Sequence, residues 1–74
     1  MNWIQGLYIS ILVLEKDGQK VIAEVWSEPC RWGREWQWSV SIDGKDHAEG
    51  VCDGYKPAEA RAEAAVKKLM EATT

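Results

Sequence analysis

Arginine and tryptophan alternate in one short segment, Arg31-Trp32-Gly33-Arg34-Glu35-Trp36. Trp and Arg carry much of the binding energy at protein–protein interfaces, and indole rings also stack on the bases of single-stranded nucleic acid. A structural interpretation is also open, in which Trp36 lies in the core, Trp32 caps its edge and the arginines extend over the rings. We take Arg31, Trp32 and Arg34 as the candidate partner-binding residues.

His47 is the single histidine of the chain, and Cys52 follows it five positions later. Nucleophilic catalysis requires a nucleophile, a base and an orienting carboxylate to converge, whereas strand residues five apart point to opposite faces. We therefore predict a protein that is not an enzyme and a histidine that is solvated.

Four carboxylates lie close together in sequence, at Asp43, Asp46, Glu49 and Asp53. They lack the regular spacing of oxygen ligands in a calcium-binding loop. We expect them to serve a turn and solubility, and we predict no metal site and no cofactor.

The two cysteines, Cys30 and Cys52, have no other Cys or His at metal-ligand spacing. Free thiols in a reducing cytoplasm are expected, although a disulfide stays open because neighbouring strand ends would bring the two residues close. The apolar segment from Trp3 to Leu14 lacks a basic leader and a cleavage site and is shorter than the ~20 residues that span a bilayer, so we interpret it as a strand.

Length and charge bound the class of protein. The chain has 74 residues, a formal net charge of −3, five Trp and no Phe. We predict one domain, residues 1–74, which buries only roughly 60% of its unfolded surface. Acidic and basic residues are interspersed, a distribution that disfavours nonspecific binding to nucleic acid or to anionic membranes.

Apolar and polar residues alternate at the two-residue period of half-buried strands, most regularly from Trp36 to Ile42. Asp17-Gly18 and Asp43-Gly44 are typical of tight hairpin turns, and Pro29 is expected to end strand pairing. The predicted strands are residues 6–14, 20–26, 35–42 and 45–52, with a loop over residues 27–34.

The turn before the fourth strand decides which residues face the indoles. If its glycine forms a left-handed bulge, Ala48 lies opposite Trp38 and Gly50 opposite Trp36. A two-residue turn would instead place His47 and Glu49 beside the rings. We prefer the first register, because it pairs small residues with the largest ones.

An alanine-rich helix is predicted from Pro57 to about Ala72, since proline is favoured at the first helical position. Small and aliphatic residues recur at helical spacing on one face, and Glu59 and Glu63 are expected to face water. The fold class is therefore α+β, a four-stranded antiparallel meander with the helix packed on one face. The predicted core comprises Trp36, Trp38, Val40, Ala62, Ala65, Val66 and Leu69.

The segments 38–45 and 56–65 resemble the second half of a double-stranded RNA-binding domain, with a strand, turn, strand and closing helix. The resemblance implies RNA contacts by lysines that open this helix. Pro57 and Ala58 stand at those positions, with only Lys56 and Arg61 basic nearby, so the cations that phosphate binding requires are missing. Two strands also replace the family's first helix.

We accordingly predict a small non-enzymatic module that binds another protein. In size and composition it is similar to phage and prophage accessory proteins, including inhibitors of host defence. The alternative is a degenerate double-stranded RNA-binding-like domain. The first strand is apolar on both faces, which predicts a homodimer formed by Tyr8, Leu12 or Leu14 or by pairing of strand edges.

Overall fold

A computed structural model of the protein describes residues 3–71, in which five antiparallel strands precede one helix. The strands follow one another in the sheet in chain order. The α+β class and the single covering helix are confirmed, but the sheet has five strands where four were predicted. The elements are β1 (Ile4–Gln5), β2 (Ile9–Lys16), β3 (Gln19–Cys30), β4 (Gly33–Ile42), β5 (Lys45–Cys52) and α1 (Tyr55–Glu71).

The additional strand arises from a reversal of the chain at residues 6–8. The backbone N–H of Gly6 donates to the carbonyl of Ile9 at 2.7 Å, and β1 then pairs with β2 so that Ile4 lies opposite Ile11. The prediction of a continuous strand from residue 6 was wrong, because apolar alternation does not show where a chain folds back on itself.

Strands β3 and β4 form a ribbon that extends beyond the rest of the sheet. Pairing continues to Cys30 and Gly33, so the predicted loop over residues 27–34 is reduced to a two-residue turn. Pro29 does not end the strand. Beyond Trp26, β3 has no β2 partner and is an edge strand, where the N–H that proline lacks would point outward and would not join the sheet.

The two Asp-Gly turns adopt the same tight geometry. Asp17 and Gly18 have φ values of 51° and 80°, and Asp43 and Gly44 have values of 48° and 85°. Positive φ at both central residues is the type I′ hairpin that the sequence predicted for the first turn. Asp43 also serves the turn directly, since its carboxylate accepts the backbone N–H of Lys20 at 2.9 Å.

The register between β4 and β5 differs from the preferred prediction. Gly50 lies opposite Trp38, Cys52 opposite Trp36, and Ala48 opposite Val40. The turn has two residues, but a bulge then leaves an extra residue on β5 and returns the small residues to the helix side. Gly50 therefore faces the indole of Trp38 instead of that of Trp36, and Ala48 does not face an indole, so the predicted register was wrong by two positions along the strand.

The core lies between α1 and one face of the sheet. Val40, Ala62 and Val66 are fully buried as predicted, but Trp36, Trp38, Ala65 and Leu69 are only half-buried. Both indoles lie on β4, next to the edge strand β5, where a single helix does not cover them completely. Ala58, one of the small residues predicted on the packed face of the helix, is also fully buried. The buried apolar residues that the prediction omitted are Leu12, Val21, Ala23 and Val25.

The helix begins two residues earlier than predicted, with Pro57 in its first turn, where the missing N–H costs nothing. The predicted end near residue 72 lies outside the described residues. Two glutamates expected to face water are instead bonded within the protein: Glu63 accepts from Trp3 Nε1 at 2.7 Å, and Glu59 accepts from the Tyr55 hydroxyl. The first bond connects the helix to the segment before β1, and the second lies within the helix.

Candidate protein-binding surface

The tip of the β3–β4 ribbon carries Arg31 and Trp32 in its two-residue turn. Both are exposed, and Trp32 has 87% of its surface accessible to solvent. Trp32 therefore does not cap Trp36, and the structural interpretation of this segment fails for that residue. The tip therefore presents an indole and a guanidinium to solvent.

Arg34, the third candidate residue, has a different environment. Its guanidinium lies 4.0 Å from the centre of the Tyr8 ring, which is within the range of a cation–π contact. Its Nε donates to Ser27 Oγ at 2.7 Å, and its Nη2 donates to the Ser27 carbonyl at 3.3 Å. Arg34 thus fixes the loop before β2 against the ribbon, and the structure does not join it to Trp32 in one contact surface.

A hydroxyl network lies at the start of α1. Tyr55 packs edge-to-face on Trp36 with ring centres 5.2 Å apart, and its hydroxyl lies 3.1 Å from both Gln5 Nε2 and Ser10 Oγ. Burial raises the pKa of Tyr55, and its hydrogen bond to Glu59 raises it further. Tyr55 therefore stays neutral at physiological pH and has an anchoring role.

The face of the sheet opposite α1, called the open face here, carries a continuous apolar area on β1, β2 and β3. Cross-strand pairs place Ile4 beside Ile11, Ile9 beside Trp26, and Val13 beside Ile22. Ile4 is 73% exposed, Ile9 43% and Val13 50%. The open-face patch consists of Ile4, Ile9, Ile11, Val13, Ile22 and Trp26.

The Trp26 indole is hydrogen-bonded to a polar neighbour on this face. Its Nε1 donates to Glu28 Oε1 at 3.0 Å, and Gln37 Nε2 donates to Glu28 Oε2 at 2.8 Å. An ordered indole loses little conformational freedom on binding, which favours its use as an anchor. The sequence prediction did not single out this patch, although the two-sided apolar character of the first strand was a signal for it.

The other candidate groups do not assemble into a site. His47 is exposed and is the extra residue of the β5 bulge, and Cys30 and Cys52 are free thiols. Among residues 3–71, no three His, Cys, Asp or Glu side chains are grouped in a way that could hold a metal ion. No helix within that range is long and apolar enough to cross a membrane.

Comparison with protein-family models, with curated proteins and with solved structures found no match to this chain.

Proposed function

We propose that this protein is a non-enzymatic module that binds another protein, and that the open-face patch is its contact surface. The observation that carries the proposal is the apolar area on three neighbouring strands, which no element among residues 3–71 covers. Contiguous exposed apolar surface with a polar border is characteristic of interaction sites in soluble proteins.

The two halves of the open face differ in a way that suits this role. The β4 and β5 half presents mainly polar side chains such as Gln37, Ser39 and Glu49, while the β1 to β3 half is apolar. A surface needed only for solubility would be polar throughout, as on most antiparallel sheets with one solvated face. Arg31 and Trp32 at the ribbon tip are proposed as a second contact region, and Arg34 as the residue that anchors the adjoining loop.

The experiment that tests the proposal compares two valine substitutions on the same face. Val13 lies in the patch and is 50% exposed, while Val51 lies on β5 and is 58% exposed. We expect a protein captured from the native host by the wild type and by Val51→Ser to be lost with Val13→Ser, because only the latter removes apolar contact area. Equal capture by all three forms, with circular dichroism showing that each is folded, would contradict the proposal.

Self-association is a second use of the same region, proposed because β2 has a free outer edge. Strand β1 covers β2 only at Ser10 and Ile11, and no other element among residues 3–71 pairs with the outer edge of β2. Leu12, which the sequence analysis placed in a dimer interface, is 2% exposed on the helix side and cannot contribute. Edge pairing, rather than contact through Leu12, is therefore the proposed route to a dimer.

We expect sedimentation equilibrium to show a dimer at high micromolar concentration. Hydrogen-bonded and non-hydrogen-bonded residue pairs alternate along an antiparallel pair of strands, and the N–H of Glu15 points away from β3. Glu15→Pro should therefore shift the dimer to monomer. The substitution thus removes an outward donor without removing a β2–β3 hydrogen bond. A wild-type chain that remains monomeric at high micromolar concentration would exclude edge pairing.

The alternative function is a degenerate double-stranded RNA-binding-like domain, and one observation favours it. Because Glu59 and Glu63 are bonded inward, the exposed residues of α1 include the cations Lys56, Arg61, Lys67 and Lys68. The positions that open the helix do not fit this role, however, since Ala58 is fully buried under the sheet.

We expect no specific binding of duplex RNA in a titration with a labelled duplex of about 16 base pairs, the usual span of such domains. Too few clustered cations are present to release the counterions that drive phosphate binding. Submicromolar affinity near physiological salt, lost in a Lys56→Glu, Arg61→Glu variant, would reverse this ranking.

A further inference from the structure

The charges on the open face are strongly one-sided. Strand alternation and the cross-strand pairs place six of the twelve carboxylates of the chain there, but only one of its nine Lys and Arg side chains. The single cation, Lys20, lies opposite Glu15 at the turn end of the face. The six carboxylates belong to Glu15, Glu24, Glu28, Glu35, Asp46 and Glu49.

Glu24 occupies the centre of this face. Its cross-strand neighbours are Ile11 of the patch on one side and Ser39 on the other, with Glu49 next in the same row. Glu24 is half-buried, and neither its side chain nor that of Glu49 has a hydrogen bond or ion pair in the described structure. A carboxylate that is partly removed from water beside apolar side chains interacts favourably with a cation from a partner, because charge-assisted hydrogen bonds become stronger as water is excluded.

We propose that the occupant of the open face is a cationic amphipathic helix of another protein. Its apolar side would pack on the open-face patch, and its Lys or Arg side chains would reach Glu24 and Glu49. This inference rests on the proposed function and specifies the chemistry of the partner.

The dimensions of the patch suit a helix. Three strands spaced about 4.8 Å apart give a width of about 10 Å, which is close to the diameter of a helix with its side chains. The face is also already bordered by carboxylates on the side where the polar flank of such a helix would lie.

Two other occupants fit the charges less well. A second copy packed open face to open face would bring the same glutamates together, and like charges at an interface oppose association. Nucleic acid would bring phosphates against the same carboxylates. The edge-paired dimer proposed above leaves the open face accessible and is compatible with a helical partner.

The test uses a synthetic peptide of about 18 residues, about 27 Å long as a helix, with Leu on one side and Lys on the other. One control peptide has Glu in place of Lys, and a second has the composition of the first in an order without an apolar side. Nuclear magnetic resonance titration of the full chain at low salt is expected to show shifts at Ile9, Ile22 and the indole N–H of Trp26. We expect the cationic peptide to bind at least about tenfold more tightly than either control, with affinity falling as salt is raised.

A pair of matched charge reversals locates the effect. Glu24→Lys should weaken binding of the cationic peptide by about tenfold, a change typical of losing one well-placed charge contact. Glu71→Lys makes the same change at an exposed residue at the end of α1, on the other side of the sheet, and should leave the affinity unchanged.

The outcomes separate this inference from the proposed function. Equal binding of the acidic and cationic peptides on the patch would overturn the inference while leaving a protein-binding face. Shifts confined to α1, no binding of the cationic peptide, or equal effects of the two reversals would also overturn it. Loss of host-protein capture in Val13→Ser would still support the proposed function in each of these cases.

Discussion

Replacing Gly50 with alanine is expected to lower the free energy of unfolding by about 1–3 kcal/mol, the usual cost of forcing an extra carbon into a packed site. A Cβ at this position would lie 2.6 Å from Trp38 Nε1 and 2.8 Å from Cε2. The Trp38 ring cannot move aside freely, because it packs against both clusters of the core. Urea denaturation of the two proteins measures the difference.

Gly54→Ala is the matched control for this prediction. Its added Cβ would meet Pro57 Cδ at 3.5 Å, an ordinary contact, so the change should be near neutral. In a Trp38→Val background the cost of Gly50→Ala should shrink, since the clashing ring is gone and the two positions are directly coupled. An undiminished cost in that background would show that the indole is not the cause.

Ala62→Leu is expected to destabilise the protein by a similar amount, ~1–3 kcal/mol, through overpacking. Ala62 has no exposed surface and packs in a cluster with Val25 and Ala58 between the helix and the sheet. A small domain has a stability of only about 5–15 kcal/mol, so this loss should produce a clear fall in the midpoint of thermal unfolding.

Two further alanines of α1 define the direction of its buried face. Ala65→Leu should cost less than Ala62→Leu, because Ala65 is half-buried, and Ala60→Leu should be near neutral, because Ala60 is exposed. If leucine were neutral or stabilising at both 62 and 65, the assignment of the helix face would be wrong.

The sequence by itself determined the features that depend on neighbouring residues. The fourth predicted strand coincides with β5, the Asp17-Gly18 turn has the positive φ values expected of it, and an amphipathic helix follows. Alternation, turn chemistry and helical spacing act over a few residues and are visible in a single chain.

Contacts between distant parts of the chain decided the rest. The reversal that creates β1 depends on pairing of Ile4 with Ile11, and continuation of β3 through Pro29 depends on the absence of a β2 partner there. The register around Trp38 includes a bulge in β5. The bulge allows the tight two-residue turn and the placement of small Gly50 opposite the indole to occur together.

Part of the candidate site was also predictable from the sequence, and part depends on tertiary contacts. Sequence composition identified Arg31 and Trp32, which are exposed at the ribbon tip, but it could not show that Arg34 binds Tyr8 and Ser27. Two apolar faces on one strand showed that some surface would remain uncovered. Which face α1 covers, and which carboxylates share the other face with the patch, follows only from strand pairing, since a change of register moves side chains relative to one another across the sheet.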